Sequence, residues 1–329
     1  MATNEASGSP ADVCVIGDGA GEFQPRTAVV PAPDDGFRRA VIEGGGQLTE
    51  SASADVIVWT DPHDPEGLRA TLANSPACWV QLPLAGIESF VSAGVIEPGR
   101  VWTSAKRIYG YACAEHALAL MLTAARRIHH HVLNRVWIRA PLGSRHRMLS
   151  GSTALVVGTG GIGVALVPML TNLGVHVLAA NRSGAPCPGA EITVTADRLP
   201  ELVPEADFIV LAAALTVDTR HMFDRQMLAR MRPTAWLVNV ARGGLIDTSA
   251  LVEALGQRSI GGAALDVTDP EPLPADHPLW SFEDAIITPH VANTLDMSLP
   301  ELRALVRRNI RHFALGESLE GLVDPALGY

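Results

Sequence analysis

A glycine-rich turn between an apolar strand and an apolar helix constrains the fold of this chain more than any other feature. The turn reads Gly158-Thr159-Gly160-Gly161-Ile162-Gly163, follows the apolar run 154–157 and opens a helical segment that stops at Gly174. Without side chains at Gly158 and Gly160 the backbone can approach a pyrophosphate, and the start of the helix offers it unpaired N–H groups. Gly163 permits close packing of helix on strand. The pattern predicts a βαβ dinucleotide-binding unit, with cofactor contacts from Gly158, Gly160, Gly161, Ile162 and Gly163.

Short β-branched runs alternate with helical segments along most of the sequence, which is typical of parallel α/β domains. At 329 residues the chain is long enough for two such domains. We therefore predict an α/β fold class with two doubly wound parallel-sheet domains. The predicted strands are Val13–Ile16, Thr27–Val30, Asp55–Trp59, Cys78–Leu82, Thr153–Val157, Val175–Ala180, Phe208–Ala213, Trp236–Val240, Gly262–Val267 and Ala285–Thr288.

Two helical patterns suggest where the domains begin and end. The apolar pattern 113–128 follows the last strand region of the first domain, and the pattern 299–313 returns the chain to that domain. We predict a discontinuous first domain of residues 1–103 and 295–329, and a dinucleotide-binding domain of residues 104–294. The Arg- and His-rich segment 129–149 is expected to be an irregular excursion.

Composition excludes several classes of partner. The formal net charge is −10 and lysines and arginines are not clustered, so we expect no nucleic-acid or anionic-membrane partner. The N-terminus has neither the basic nor the apolar region of a signal peptide, and no apolar stretch approaches the ~20 residues of a membrane span. We expect a soluble, cytoplasmic protein.

Cysteines and histidines give no metal-binding pattern. The four cysteines, Cys14, Cys78, Cys113 and Cys187, are scattered without a C-x-x-C pair, so reduced thiols are expected. The three consecutive histidines 129–131 cannot share one helix face. We expect a solvated helix end there and no metal.

The end of the second strand of the βαβ unit bears on the choice of cofactor. A carboxylate usually stands about 20 residues beyond the glycine turn and binds the ribose hydroxyls of NAD. Here the sequence is Asn181-Arg182-Ser183, with no carboxylate. A guanidinium suits a 2′-phosphate by charge and fork geometry. We predict that these three residues bind the cofactor and that NADP(H) is preferred, with NAD(H) as the alternative because one arginine can also stack on adenine.

Three further motifs follow predicted strands of the same sheet, where open α/β sheets place their sites. They are Asn239-Val240-Ala241-Arg242-Gly243-Gly244, Asp266-Val267-Thr268-Asp269-Pro270-Glu271-Pro272 and Thr288-Pro289-His290. With them the sequence resembles the D-isomer-specific 2-hydroxyacid dehydrogenase family, from about Ala77 to the C-terminal segment 323–329. The resemblance implies a Rossmann cofactor domain, a smaller flavodoxin-like substrate domain, and hydride transfer between a nicotinamide and a small 2-keto or D-2-hydroxy acid.

The resemblance implies a catalytic trio of Arg242, Glu271 and His290, and the chemistry agrees with it. Reduction of a keto acid needs a cation that binds the carboxylate and polarises the carbonyl, a role that suits Arg242. It also needs a proton donor near neutral pH, which His290 supplies, while Glu271 stabilises the imidazolium. The same histidine works as a base in oxidation, so the physiological direction stays open.

The resemblance also implies further contacts with the substrate and the cofactor. Backbone N–H groups of a small-domain loop would hold the substrate carboxylate; the match is Leu84, Ala85 and Gly86, for which a plain strand-ending turn is the alternative. The family usually has proline where Ala214 stands. The expected cofactor-lining residues are Ala213, Ala214, Leu215, Val240, Ala241, Asp266, His290 and Ala292.

Several functions remain open. The leading hypothesis is reduction of glyoxylate, hydroxypyruvate or a short branched analogue. A non-catalytic, nucleotide-sensing interaction protein on the same fold is an alternative, as is a phosphoglycerate dehydrogenase-like enzyme. The latter is disfavoured because the apolar residues 82–84 offer no cation for a phosphate and no extension follows Tyr329. Formate oxidation is a further alternative, and it is disfavoured because a substrate without a carbonyl to protonate has less need of an ionisable Glu-His pair.

The family dimerises through the region matching 128–149, so a homodimer is expected.

Overall fold

The computed structural model of the chain describes residues 23–32, 34–137 and 145–325. The chain divides into two compact units, one of Met1–Tyr109 with Leu295–Tyr329 and one of Gly110–Thr294. The predicted strand Val13–Ile16 lies outside the described residues. No helix formed within the described ranges is long and apolar enough to cross a membrane.

The first unit is built on a five-stranded parallel sheet. Its elements in chain order are β1 (Arg26–Val30), α1 (Asp35–Glu43), β2 (Gln47–Leu48), β3 (Val56–Trp59), α2 (Pro65–Ala73), β4 (Trp79–Gln81), α3 (Glu88–Ser92) and β5 (Val101–Thr103). The strand order is β2-β1-β3-β4-β5. Every residue of β3 is buried, as expected for a strand in a sheet covered on both faces.

The second unit is built on a seven-stranded parallel sheet. Its elements are α4 (Gly110–Arg126), α5 (Ile128–Asn134), β6 (Thr153–Val157), α6 (Gly161–Asn172), β7 (His176–Asn181), β8 (Ile192–Thr195), α7 (Leu199–Leu202), β9 (Phe208–Leu211), α8 (Arg225–Leu228), β10 (Trp236–Asn239), α9 (Thr248–Gly256), β11 (Gly262–Leu265) and β12 (Ala285–Ile287). The chain then returns to the first unit as α10 (Leu295–Ala314). Short 3-10 helices occur at Ser51–Ser53, Ala196–Arg198, Val203–Glu205, Gly243–Leu245 and Pro278–Ser281.

The order of the strands in the larger sheet places its binding site. The order is β12-β11-β10-β9-β6-β7-β8, so the chain builds outward from β6 in one direction and from β9 in the other. In such open parallel sheets, ligands bind at the carboxyl ends of the strands beside this reversal. The predicted fold class, two doubly wound parallel α/β units, is confirmed by the two sheets.

Local sequence signals account for several element boundaries. Asp34 caps α1 by accepting a hydrogen bond from the backbone N–H of Phe37 at 2.7 Å. Asp247 caps α9 in the same way. Gly174 follows α6 at a φ of +74°, the left-handed conformation that ends helices, as its position in the sequence predicts.

Three short strands were not predicted. β2, β5 and β8 lie at the edges of the two sheets, where one neighbouring strand is enough to define them. β2 has two residues and β5 three, so neither carries a readable alternation of polar and apolar residues. These segments are strands because they pair with a neighbouring strand, and this pairing depends on tertiary structure.

The expectation of an irregular segment is wrong for residues 129–134, which belong to the helix α5, although residues 131–134 are exposed. Arg127 adopts a φ of +51°, which ends α4, and α5 then begins at Ile128. His129 is not a solvated helix end, because its ring packs edge-on against Trp236 with the centroids 6.0 Å apart. Burial lowers the pKa of His129.

The expectation that all four cysteines are reduced is also wrong. Cys78 is disulfide-bonded, whereas Cys113 and Cys187 are free. The spacing of cysteines in a sequence does not reveal a disulfide. Cys14 lies outside the described residues.

Candidate active site

The glycine turn after β6 tolerates no side chain at two of its positions. Gly158 has a φ of +99°, and a Cβ there would lie 2.6 Å from the backbone of Ala212 and Ala213 after β9. A Cβ on Gly163 would collide with the carbonyl oxygen of Gly158. The turn therefore packs backbone to backbone, and this brings the first turn of α6 against β6.

Gly160 is different, because a Cβ there would meet no atom within 4 Å in the described structure. It is the N-cap of α6, and no side chain of the described residues caps this helix. The N–H groups of the first turn of Gly161–Asn172 therefore have no side-chain cap among the described residues and lie at the positive end of the helix dipole. This open, uncapped turn fits the pyrophosphate of a dinucleotide.

The side chain of Asn181, at the end of β7, shapes the neighbouring turn. Its Nδ2 donates hydrogen bonds to Thr159 Oγ1 at 2.9 Å and to the carbonyl oxygen of Ala185 at 2.8 Å. Its Oδ1 accepts from the backbone N–H groups of Ser183 at 3.1 Å and Gly184 at 2.6 Å. Since both ends of the amide are used, Asn181 ties the turn after β7 to the glycine turn.

Arg182 and Ser183, the other two residues predicted to select the cofactor, are exposed on this turn. The sequence from 181 to 185 contains no carboxylate that would bind ribose hydroxyls. The turn therefore presents a guanidinium and a hydroxyl beside the glycine turn.

The structure brings together two of the three predicted catalytic side chains. His290 Nδ1 lies 2.6 Å from Glu271 Oε1, and both side chains are about half exposed. Because a carboxylate can only accept, the proton of this hydrogen bond belongs to Nδ1. The other ring nitrogen of His290, Nε2, takes no part in this hydrogen bond.

His290 lies in a turn whose backbone N–H groups donate hydrogen bonds to Asp266. The residue has a φ of +53°, a conformation that costs energy for any residue except glycine. Its N–H donates to the carbonyl oxygen of Asp266 at 2.8 Å. The N–H groups of Val291 and Ala292 donate to the Asp266 carboxylate at 3.0 and 2.9 Å. Asp266 thus stabilises the conformation that presents His290.

Arg242 lies in the loop after β10, which Asn239 fixes internally. Asn239 Nδ2 donates to the carbonyl oxygen of Arg242 at 2.9 Å, and Asn239 Oδ1 accepts from Ala241 N–H at 3.0 Å. The guanidinium Nη1 of Arg242 donates to the carbonyl oxygen of Ala241 at 2.7 Å. A Cβ on Gly243 would lie 2.6 Å from the nitrogen of Asp269, so this loop touches the loop after β11.

The remaining predicted cofactor residues also follow strands of the larger sheet. Val240, Ala241 and Ala292 are buried. Leu215 packs on the hydrophobic core, and a Cβ added at Gly244 would lie 3.1 Å from Leu215 Cδ2. The predicted residues thus stand after β6, β7, β9, β10, β11 and β12, at one edge of the sheet.

The loop predicted to hold the substrate carboxylate belongs to the first unit. Residues 84–86 follow β4, and the carbonyl oxygen of Leu84 accepts from the N–H of Ala105 at 2.9 Å. Leu84 is exposed. The role of Leu84, Ala85 and Gly86 stays a prediction.

One group of side chains has the composition of a metal site, although none was expected. Ligand atoms of His129, His130 and Asp284 lie within 4.8 Å of one another. However, Arg127 Nη1 and Arg145 Nη1 lie 2.9 and 2.8 Å from the two oxygens of Asp284. Two guanidinium groups already neutralise this carboxylate, so the group disfavours a cation.

Sequence reasoning missed two residues that contact Asp266. Thr288 Oγ1 donates to Asp266 Oδ1 at 2.6 Å, and His116 Nε2 lies 3.0 Å from Thr288 Oγ1. The sequence signal for His116 was weak, because the histidine stands beside Glu115 in the mainly apolar helix α4. On the same helix, burial raises the pKa of the Cys113 thiol to about 11, so this thiol is not a nucleophile at neutral pH.

Comparisons with known proteins identify the family of the chain. The model of the NAD-binding domain of D-isomer specific 2-hydroxyacid dehydrogenases matches residues 118–292. A glyoxylate reductase of Korarchaeum cryptofilum is 31% identical over 284 residues, covering 84% of this chain and 84% of that protein. A Corynebacterium melassecola protein, named only as uncharacterized in the proB 3′ region, is 38% identical over 302 residues, covering 88% of this chain and 95% of that protein.

Solved structures show the same fold. A D-isomer specific 2-hydroxyacid dehydrogenase family protein from Aeromonas salmonicida subsp. salmonicida is 27% identical with a TM-score of 0.78, covering 92% of this chain and 100% of that one.

The uncapped glycine turn and the strand-end side chains define a dinucleotide-binding oxidoreductase of the doubly wound α/β class. More narrowly, the chain belongs to the D-isomer specific 2-hydroxyacid dehydrogenase family. It is an oxidoreductase acting on CH–OH groups with a nicotinamide cofactor, which confirms the predicted family and enzyme class.

Proposed function

We propose that this enzyme interconverts a small, unphosphorylated 2-keto acid and its D-2-hydroxy acid, with glyoxylate or hydroxypyruvate as the keto acid. The observation that carries the proposal is the hydrogen-bonded pair of His290 and Glu271 at the sheet edge that bears the glycine turn. Glyoxylate reductases among the relatives support the substrate class. The apolar residues 82–84 before the substrate loop offer no cation for a phosphate group.

In the proposed reaction, three side chains bind the substrate or move its proton. A bound reduced nicotinamide supplies the hydride that adds to the carbonyl carbon. Arg242 binds the substrate carboxylate and stabilises negative charge on the carbonyl oxygen. His290 donates the proton from Nε2 to that oxygen, and Glu271 keeps the other proton on Nδ1 and stabilises the imidazolium before transfer. In the oxidation direction, His290 Nε2 accepts the hydroxyl proton.

The test compares two histidines with similar surroundings. His176 also forms an Nδ1 to carboxylate contact, at 2.7 Å to Glu191, but it stands at the first residue of β7, at the opposite end of the strands. We expect His290→Gln to lower kcat for glyoxylate reduction by about 10²- to 10⁴-fold, the usual contribution of a general acid. His176→Gln should retain the wild-type kcat.

The assay follows the reduced-nicotinamide absorbance with glyoxylate, hydroxypyruvate, pyruvate and a phosphorylated keto acid, each with NADPH and NADH. Turnover that is equal in the His290 and His176 variants would contradict the assigned proton donor. A wild-type protein that binds NADPH but reduces none of these acids would instead support the non-catalytic, nucleotide-sensing alternative.

We further propose that NADP(H) is preferred over NAD(H). The proposal is supported by the exposed guanidinium of Arg182 on a turn without a carboxylate, and by the way Asn181 holds that turn. Arg182→Ala should weaken NADPH binding by about 10- to 100-fold, the cost of a lost charge-assisted contact, and leave NADH binding nearly unchanged. Arg225→Ala, which removes an exposed arginine paired with Glu253, is the matched control. Equal loss for both cofactors would remove the basis for the preference.

We also propose a homodimer that uses α5. Its apolar side chains, Ile128, Val132 and Leu133, are exposed: Leu133 is 78% and Trp137, just beyond the helix, 94% accessible. Such a surface is typical of a protein interface. Light scattering at micromolar concentration should give the mass of two chains for the wild type and of one chain for Leu133→Glu. A monomeric wild type would refute the proposal.

A further inference from the structure

A hydrogen-bonded chain of side chains connects α4 to the turn that carries His290. His116 Nε2 lies 3.0 Å from Thr288 Oγ1 and 3.3 Å from Asp266 Oδ1. Thr288 Oγ1 lies 2.6 Å from the same carboxylate oxygen. His116 and Thr288 are 172 positions apart in the sequence, so only the fold creates the contact.

The direction of these hydrogen bonds follows from the chemistry of the groups. The Asp266 carboxylate accepts from Thr288, Val291 and Ala292, so it acts only as an acceptor. Thr288 has one hydroxyl hydrogen and donates it to Asp266. Its oxygen can therefore only accept from His116, so Nε2 of His116 must carry a proton, which also faces Asp266 Oδ1 at 3.3 Å.

We propose that His116 is a positioning residue for the proposed proton donor: its Nε2–H orients the Thr288 hydroxyl toward Asp266 and so stabilises the left-handed turn that presents His290 to Glu271. The turn is strained at His290, whose φ is +53°. Its conformation depends on the donors that converge on Asp266. Thr288 and His290 are only two residues apart, so a displaced Thr288 moves the histidine directly.

Two substitutions of His116 distinguish the loss of its hydrogen-bond donor from a change in side-chain volume. His116→Leu fills the space but removes the donor, whereas the amide nitrogen of His116→Gln can take the place of Nε2–H. We expect the leucine variant to lose about 10- to 100-fold in kcat, since a misplacement of ~1 Å at a catalytic group can cost that much. Its affinity for NADPH, measured by fluorescence titration, should stay unchanged, and glutamine should restore most of kcat. His176→Leu, at the far end of β7, is the matched control.

The kinetic comparison rests on the proposed reductase activity, but nitrogen NMR of histidine-labelled protein does not. In the wild type we expect a protonated Nε2 on His116 and a hydrogen-bonded Nδ1–H on His290. In His116→Leu the His290 signal should lose its hydrogen-bonded character, while circular dichroism shows an intact fold, and His116→Gln should preserve it.

An unprotonated Nε2 on His116, an unchanged His290 signal in the leucine variant, or a glutamine variant no better than leucine would each overturn the proposal. If the wild type reduces no 2-keto acid while the His290 signal still depends on His116, the proposed function fails and the positioning role stands.

Discussion

Replacing Asp266 by asparagine removes one negative charge from the interior of the site and changes almost no volume. The residue is 2% exposed. Its two oxygens accept from Thr288, Val291 and Ala292. An amide in this position turns its own N–H group toward at least one of these donors. The variant therefore loses a charge and also leaves a buried donor without an acceptor.

The size of the effect follows from the pKa of Asp266. Burial by itself raises this pKa, but hydrogen bonds from His116, Thr288, Val291 and Ala292 outweigh burial and lower it from 3.8 to about 2. At about 1.4 kcal/mol per pKa unit, the ionised carboxylate stabilises the folded state by about 2 kcal/mol at neutral pH. Asp266→Asn should lower the free energy of unfolding by at least that amount.

The sign of the pH dependence is fixed by the direction of the pKa change. Because the folded-state pKa is the lower one, the unfolded chain takes up the proton first as the pH falls. The stabilisation is complete above about pH 4 and is lost as the pH falls toward about 2, with roughly half left at pH 3. The difference between wild type and variant should therefore be constant from pH 7 to pH 5 and smaller at pH 3.

Urea unfolding followed by circular dichroism at these three pH values measures the difference. Asp276→Asn, at an exposed aspartate of the same unit, should change stability by less than about 0.5 kcal/mol. Equal unfolding free energies for wild type and Asp266→Asn at pH 7, or a difference that does not narrow at pH 3, would refute the role given to the carboxylate.

Three further substitutions test the packing around the site. Gly158→Ala places a Cβ 2.6 Å from neighbouring backbone at a φ of +99°, so calorimetric titration should detect no NADPH binding by a protein that is still folded. Gly110→Ala places a Cβ 2.5 Å from the carbonyl carbon of Gly161; NADPH affinity should fall by about tenfold or more, and unchanged affinity would contradict the close approach of α4 to the glycine turn. Asp247→Ala removes the cap that accepts from the first turn of α9, and thermal unfolding should report a loss of about 1 kcal/mol without a change in KM for cofactor.

Local patterns in the sequence were sufficient for the framework of the cofactor-binding unit. The runs at β6, β9 and β10 are apolar because both faces of a parallel sheet are covered, and such runs are readable without a structure. The glycine turn is equally readable, since Gly158 and Gly163 stand where any side chain would meet backbone. The resemblance to the family implied the roles of Arg242, Glu271 and His290, and each of these residues follows a recognisable strand of one sheet.

Tertiary structure alone decided which side chains meet. The edge strands β2, β5 and β8 exist through pairing, Arg127 ends α4 through its left-handed backbone, and the disulfide of Cys78 depends on proximity in space. The sequence predicts Asn181 as a cofactor ligand, and only the structure shows that its amide also holds its own turn. No motif in the sequence singled out His116, which stands beside Glu115 in a mainly apolar helix. Periodicity and turn chemistry are local properties, whereas the contact of His116 with Thr288 exists only after a helix and a distant strand have packed together.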